Sequence, residues 1–451
     1  MPHQNPQELF PPHSAKQWLE QIKKDLKGKP LESLQSHTQD KITIEPAYYN
    51  PREAPDTILG QRSPRAAASI AVHGDEEATN KLILQLLQNG AESLWLQLYA
   101  PVNLKKLLAE VDLNLITTTL YYQNELATQA LPEHREYWEK NAPQNAPSFF
   151  VAFDPAVRFA QQGQFAVSAD QDYQQVQRII STSVGLTLPH AFFANCGASP
   201  AQQLGIALAS LYELVVRLSA NEHTPLQLNL AVGSDYFTEI AKCKAWLLLH
   251  AHLQEKLAEN LPEVKLTATG LWSNKTTADA YNNLVRSSSE GMAALLGGAR
   301  EIALQPYDVA FRQNGAFGLR MAVNQLLMLR HESHLDKNND PAAGAYFIES
   351  LTEKLAEKGW EFFKVLEKQG GLIAALEAGW LQQEVQMAAH HTQKALQKGE
   401  KVLVGITDYQ PEGEIPAPLP YPGDEPVQPD KALLPFRWAD IADNEKAPSK
   451  K

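Results

Sequence analysis

The feature that most constrains this chain is an alternation: eight short apolar runs, most of them followed by a stretch of helical period. The runs occupy 67–72, 93–99, 114–120, 148–153, 185–189, 226–232, 264–269 and 301–305. Segments with apolar residues three and four apart follow at 76–88, 103–111, 171–182, 200–219, 235–255, 280–296 and 317–332. Runs that stay apolar throughout suit strands buried on both faces, as in a parallel sheet with helical crossovers. Eight such units in roughly 270 residues fit a closed (β/α)8 barrel, whose usual size is ~250 residues. An open doubly wound sheet satisfies the same alternation, because period alone does not show closure. The third unit is the weakest, since 121–147 is polar and proline-bearing with no amphipathic stripe.

Extensions flank the eight units, giving a division into 1–60, 61–345, 346–410 and 411–451. Near the start, Ser14 stands as an N-cap before a helix with Trp18, Ile22 and Leu26 four apart, and Gly28 closes it. An extended arm with Ile42 and Ile44 follows. Beyond the barrel, Leu351–Leu366 and Ile373–Ala389 read as two helices joined at Gly370–Gly371, and 402–405 as a short strand. After Gln410 the text turns proline-rich, which builds no core and behaves as an extended spacer. The apolar patch Leu433, Leu434, Phe436 and Trp438 predicts that this spacer docks on a surface.

Charge and cysteine content exclude several classes. The 451 residues carry a net charge of −12, which argues against a nucleic-acid surface, since phosphate neutralisation needs clustered Lys and Arg. The basic run Lys23–Lys29 reads as a solvated helix face. The two cysteines, Cys196 and Cys243, lack CxxC spacing and read as small buried side chains, with no disulfide framework or zinc site. No run approaches the ~18 apolar residues of a membrane span, and the first residues lack the apolar core of a signal peptide. The expected location is the cytoplasm.

In a (β/α)8 barrel, reactive groups project from the loops after the strands. Those positions hold Asp154, His190, Asp235 with Glu239, Trp272 and Asp308. Two carboxylates and a histidine there would suit hydrolytic acid–base chemistry, whereas aspartates after strands also serve as helix caps, as Asp235 does in this reading. His331 and His334 are one residue short of the HExxH spacing, so no metal is expected there. Gly297–Gly298 is a helix stop, and His390–His391 lies on a polar helix face.

The wording of several segments is more specific. YNNLVRSSSEGMAALLGGAREIALQ (281–305), GSDYFTEIAKCKAWLLL (233–249) and NCGASPAQQLGIALASLYE (195–213) resemble the substrate barrel of the methylmalonyl-CoA mutase family, and LTEKLAEKGWEFFKVLEKQGG (351–371) and EKVLVGITDYQ (400–410) resemble the region after it. The likeness covers roughly 180–410, the first four units matching in pattern alone. It implies a barrel of adenosylcobalamin-dependent carbon-skeleton isomerases that convert (R)-methylmalonyl-CoA to succinyl-CoA.

The chain departs from the family's catalytic pattern at four places. Catalytic members carry a Tyr-His pair before the strand-five helix, and here those positions are Ala191 and Phe192. Their polar His-x-Gln on strand seven is replaced by Leu266-Thr-Ala-Thr-Gly-Leu271. The Arg-, Tyr- and Gly-rich segment ahead of strand one is replaced by DTILGQRSPRAAA (56–68), and no Asp-x-His of the cobalt-ligating kind is present. The resemblance therefore implies a small, silent subunit ending before any cobalamin domain. It implies no catalytic, cofactor or metal residues on this chain, adenosylcobalamin bound by a large-subunit partner in a heterodimer, and no nucleic-acid or membrane partner. The alternatives are an active barrel working with a separate cobalamin subunit, or an unrelated hydrolase on Asp154, His190 and Asp308. Phe192 and Phe193 predict a closed barrel whose interior is filled by bulky side chains near the mouth. The N-terminal arm and the proline-rich tail are expected to wrap the partner.

Overall fold

The computed structural model describes residues 14–48, 63–123, 129–141, 149–180, 184–218, 220, 223–257, 261–412, 415–423 and 425–443. Eight parallel strands close into a barrel in chain order: Arg65–Val72, Ser93–Leu98, Thr117–Tyr122, Phe149–Ala152, Gly185–Leu188, Leu226–Val232, Val264–Gly270 and Glu301–Ala303. Closure is made by strand eight, which pairs with strand seven on one side and strand one on the other. The (β/α)8 class read from the alternation is the one observed, and the open sheet is not.

Register decides which side chains face the helices, because partners opposite one another in a ladder share a face. Ile70, Leu96, Leu120, Val151, Leu186 and Leu226 stand in one such row and join the main core under the helices. The opposite set faces the lumen. The pattern of the third unit fails where burial is thin: helix Leu131–Asn141 exists, but among its described residues buries only His134 and Trp138, too little to leave a stripe. A further short helix, Pro155–Gln162, is set by the Asp154 cap and Pro155 at its first turn.

The extension helix Tyr346–Lys368 lays Leu351, Leu355, Phe363 and Leu366 into the same core as the barrel. Its successor, expected as one helix, is broken at Gly379 (φ 73°) into Leu372–Glu377 and Trp380–Gln397. Residues 402–405 form no strand, only an isolated bridge between Val404 and Asp408. Helix Ala15–Asp25 has the predicted Ser14 cap, completed as a capping box by Gln17, and buries no residue. The arm after it is a small hairpin, Ser36–His37 with Thr43–Ile44, that sits on this chain itself. Ile42 is buried, and Asp40 caps helix Pro200–Leu218 by accepting from Ser199 Oγ and from the Ala201 N–H at 3.2 Å. Of the segment 56–68, residues 56–62 lie outside the described residues.

Candidate functional site at the barrel mouth

The lumen-facing row can be followed around the barrel by register. Trp95 pairs with Ser69 and Thr119, and Gln97 with Ala71 and Tyr121; Tyr121, Ala152, Thr187 and Gln227 then follow on successive strands, and Asn229 pairs with Thr267. Most of these are hydroxyls and amides. They hydrogen-bond one another, as Thr187 Oγ1 does to Gln227 Oε1 at 2.9 Å and Gln97 Nε2 to Ser69 Oγ at 3.3 Å. At the lower end, Trp95 Nε1 donates to Glu301, and burial holds the Glu301 carboxyl above its usual range despite bonds from Ser93 and Trp95. Phe192 and Phe193 are not what fills the interior, since both are buried in the main core; the lumen mixes these polar side chains with a buried apolar cluster of Ala67, Trp95, Tyr121, Ala152 and Ala303.

Bulk at the mouth comes from the tail. Its backbone runs over the loops after the strands: Leu419 N donates to Ala310 O (2.7 Å), Gln428 N to Gln162 O (2.9 Å), Leu433 N to Ala160 O (2.7 Å), Phe436 N to Asn195 O (3.1 Å) and Trp438 N to Ser273 O (2.9 Å). Gly163, at φ 77°, lets the Gln428 carbonyl pass, and a side chain there would run into it. The Tyr421 ring packs edge-on against Trp272 at 4.9 Å and Phe192 at 6.4 Å between centroids. Arg437 also lies over the Trp272 ring, 5.7 Å from its centroid. Burial pushes the Tyr421 hydroxyl up, as it does that of Tyr99 after strand two, where the nearby Tyr421 adds to the rise.

The loop positions named from sequence separate into different environments. Asp154 and His190 do meet: His190 Nε2 lies 2.8 Å from Asp154 Oδ2, which also accepts from Ser210 Oγ at 2.8 Å, while Oδ1 caps Ala156 N. Burial raises the Asp154 carboxyl, but the bonds from His190, Ser210 and Ala156 outweigh it and hold the group below its ordinary range. All three side chains are buried, with His190 at 1 % exposure, so the cluster braces helix Pro200–Leu218 against strands four and five. Asp308 stands apart, its carboxyl tucked against Gly315 and Gly318 at the start of helix Ala316–His331. The hydrolase triad is thus not assembled. His331 and His334 are both exposed, and His334 lies beyond the helix.

Two features carried no signal in the sequence. Lys275 Nζ, after strand seven, lies 2.8 Å from both oxygens of Glu290 on helix Asn282–Gly297, and Asn274 donates to the same carboxylate at 2.7 Å. Burial lowers the Lys275 ammonium and raises the Glu290 carboxyl, each opposed by the other's charge. Beside the strap is a cavity of about 480 Å³, whose lining includes Gln203, Asp235, Glu239, His391, Lys401 and Trp438. Lys401 Nζ sits 3.8 Å above the Trp438 ring, and burial lowers its ammonium against the pull of Asp235 and Glu239. Glu239 is itself paired with Lys242 at 2.5 Å.

A family model described as methylmalonyl-CoA mutase matches residues 101–431, well over half of the chain. The chain belongs to the methylmalonyl-CoA mutase family. It is 28 % identical over 433 residues to the methylmalonyl-CoA mutase small subunit of Porphyromonas gingivalis, covering 89 % of this chain and 70 % of that protein. To the small subunit of Streptomyces virginiae it is 28 % identical over 473 residues, covering 95 % and 76 %. The large subunit of Propionibacterium freudenreichii subsp. shermanii is 32 % identical over 206 residues, covering 45 % of this chain and 28 % of that one. Small-subunit relatives of the mutase family are thus matched over most of this chain, and the large subunit over less than half. No described helix of this family member is long and apolar enough to cross a membrane.

Proposed function

We propose that this chain is the catalytically silent small subunit of a heterodimeric, adenosylcobalamin-dependent methylmalonyl-CoA mutase. The large subunit would hold the cofactor and convert (R)-methylmalonyl-CoA to succinyl-CoA, in the cytoplasm. The observation that carries this reading is the exit of strand five. Ala191 packs with Ala231 and Leu271, and Phe192 is buried in the core, so neither side chain offers a donor to a thioester oxygen. The mouth does not suit a corrin or a reacting thioester, since Ala191 and Phe192 offer neither a ligand nor a donor and Tyr421 packs on Phe192 and Trp272 beside them. The role left to the chain is to stabilise or organise its partner. Helix Ala15–Asp25 is the segment we assign to that contact, because it stands outside the barrel core. A heterodimer of this kind should bury more than the ~1,600 Å² of a standard interface.

One observation favours a second reading, an acyl-CoA barrel served by a separate cobalamin subunit: the lumen-facing positions include the hydroxyls and amides of Ser69, Gln97, Thr119, Thr187, Gln227 and Asn229, groups that could meet a polar substrate. The two readings part on a simple assay. On the first, the isolated chain gives no heat with adenosylcobalamin in calorimetry and no turnover of methylmalonyl-CoA, and co-expression with a mutase large subunit gives an equimolar complex. Turnover by the isolated chain, alone or with a free cobalamin subunit, overturns it.

A further inference from the structure

The path of the tail has a consequence for access. Between Leu419 and Trp438 the strap touches loops after strands four, five, seven and eight, and its Tyr421 also lies near Tyr99 after strand two. Contacts with strands two, five and seven place Tyr421 over the middle of the mouth, not at its edge. The Tyr421 hydroxyl bonds Asn195. Asn195 in turn holds the strand-seven loop, accepting from Trp272 N at 3.1 Å and Ser273 N at 3.2 Å. Underneath lies the lumen, in which Tyr121 Oη and Thr119 Oγ1 are buried without a hydrogen-bond partner. Prolines through 416–429 stiffen the strap, so that holding it extended costs little conformational entropy.

We infer that the strap is a built-in plug: Tyr421 closes the strand-exit end of the lumen, and solutes reach the lumen from that end only when the strap lifts. The closure is a property of this chain alone and holds whether or not it pairs with a large subunit. It adds a physical barrier to the loss of donors at Ala191 and Phe192. Replacing those two side chains with the Tyr-His pair would then leave the mouth shut.

A thiol placed in the lumen tests this directly. Ala152 is the last residue of strand four, lumen-facing by register and buried beside Tyr121. Ala152→Cys adds one sulfur there and removes no hydrogen bond. The full chain is treated with a small neutral maleimide, and each cysteine is followed by peptide mass spectrometry. Native Cys243, fully buried on helix Tyr236–Leu257 away from the strap, reports global opening. With the strap intact, the thiol at 152 should react slowly. Adding Tyr421→Ala should speed it by about tenfold or more while Cys243 keeps its rate, the pattern of a local opening. Equal rates at 152 with and without Tyr421 would overturn the plug. So would a matching acceleration at Cys243, because the whole barrel would then be loosening.

Discussion

Helix Ala15–Asp25 and the strap Leu419–Trp438 both carry apolar side chains outside the eight βα units, yet the helix buries no residue while the strap buries Ala432, Leu433 and Arg437. The difference follows from where each finds its hydrogen bonds. The helix satisfies its own backbone and closes its open end with the Ser14–Gln17 capping box. Among its described residues the strap has no internal ladder, only a turn in which Lys431 N and Ala432 N donate to Gln428 O at 3.0 Å each. Its amides at Leu419, Gln428, Leu433, Phe436 and Trp438 donate to carbonyls of the barrel's loops and short helices, and buried backbone groups need such partners. A segment built like the strap depends on the barrel for its backbone hydrogen bonds, whereas one built like the helix makes them within itself.

Removing residues 411–451 is the harshest way to break that comparison. Leu433→Ala alone should cost about 2–5 kcal/mol as a buried large-to-small change. The full deletion also bares Phe192 and Trp272 and leaves five carbonyls of the barrel's loops and short helices without their donors. We expect the thermal midpoint to fall by about 10 °C or more in calorimetry. An unchanged midpoint would mean that the strap merely rests on the barrel.

The loop under the strap supplies the next largest effect. Lys275→Met leaves the Glu290 carboxylate buried without its cation, a loss of about 3–5 kcal/mol. Changing both, with Glu290→Leu added, should recover most of it, since a buried pair replaced by apolar side chains is often neutral. Denaturant melts of the three proteins would show it. A double variant as unstable as the single one would mean that Asn274 and the loop geometry, not charge balance, set the cost.

How much of this was readable beforehand depends on how locally each feature is encoded. The eight strands were legible because the positions facing the helices are apolar on strand after strand, although many of the lumen-facing positions between them are polar. Helix Leu131–Asn141 was not, because only two of its positions are buried. Asp154 and His190 could be named as strand-end residues, but Ser210, the one serine in a mostly apolar helix, gives no sign that it completes their cluster. Lys275 and Glu290 meet only once the strand-seven loop folds back on its helix. Tyr421, one aromatic among prolines, could be expected to dock, but nothing in the spacer says where. Hairpin residues Asp40 and Ile42 pack on the barrel, although the text of 1–60 gives no sign that this part of the arm serves the fold.

The Asp154 cluster gives a smaller, pH-dependent signal that sharpens the view of which contacts belong to the fold. Its carboxyl is held below the ordinary value of 3.8 in the native state. The stability it contributes is therefore present above that value and lost as pH falls through the native one. Asp154→Asn should lower stability by about 2 kcal/mol near neutrality, in the range of bonds to a charged group. The gap between variant and parent should then narrow as pH drops below 3.8. Stability curves for the two proteins that stay parallel into acid would show that another carboxylate governs this limb.

At the other extreme, removal of residues 1–29 should leave the barrel almost untouched. It takes away helix Ala15–Asp25 and spares Asp40 and Ile42, so neither the cap on helix Pro200–Leu218 nor the buried core changes. The thermal midpoint should move by no more than about 1 °C, as for surface changes that touch no buried group. If the helix serves a large subunit, the truncated chain should bind that partner about tenfold more weakly or worse, the loss of roughly 1.4 kcal/mol. Ile22→Asp with Leu26→Asp, on the apolar stripe, should reproduce the loss of binding without removing the backbone. A truncated chain that melts early would show that the helix does belong to the fold. One that melts normally and still elutes with the large subunit at full stoichiometry and affinity would place the subunit contact elsewhere on the barrel.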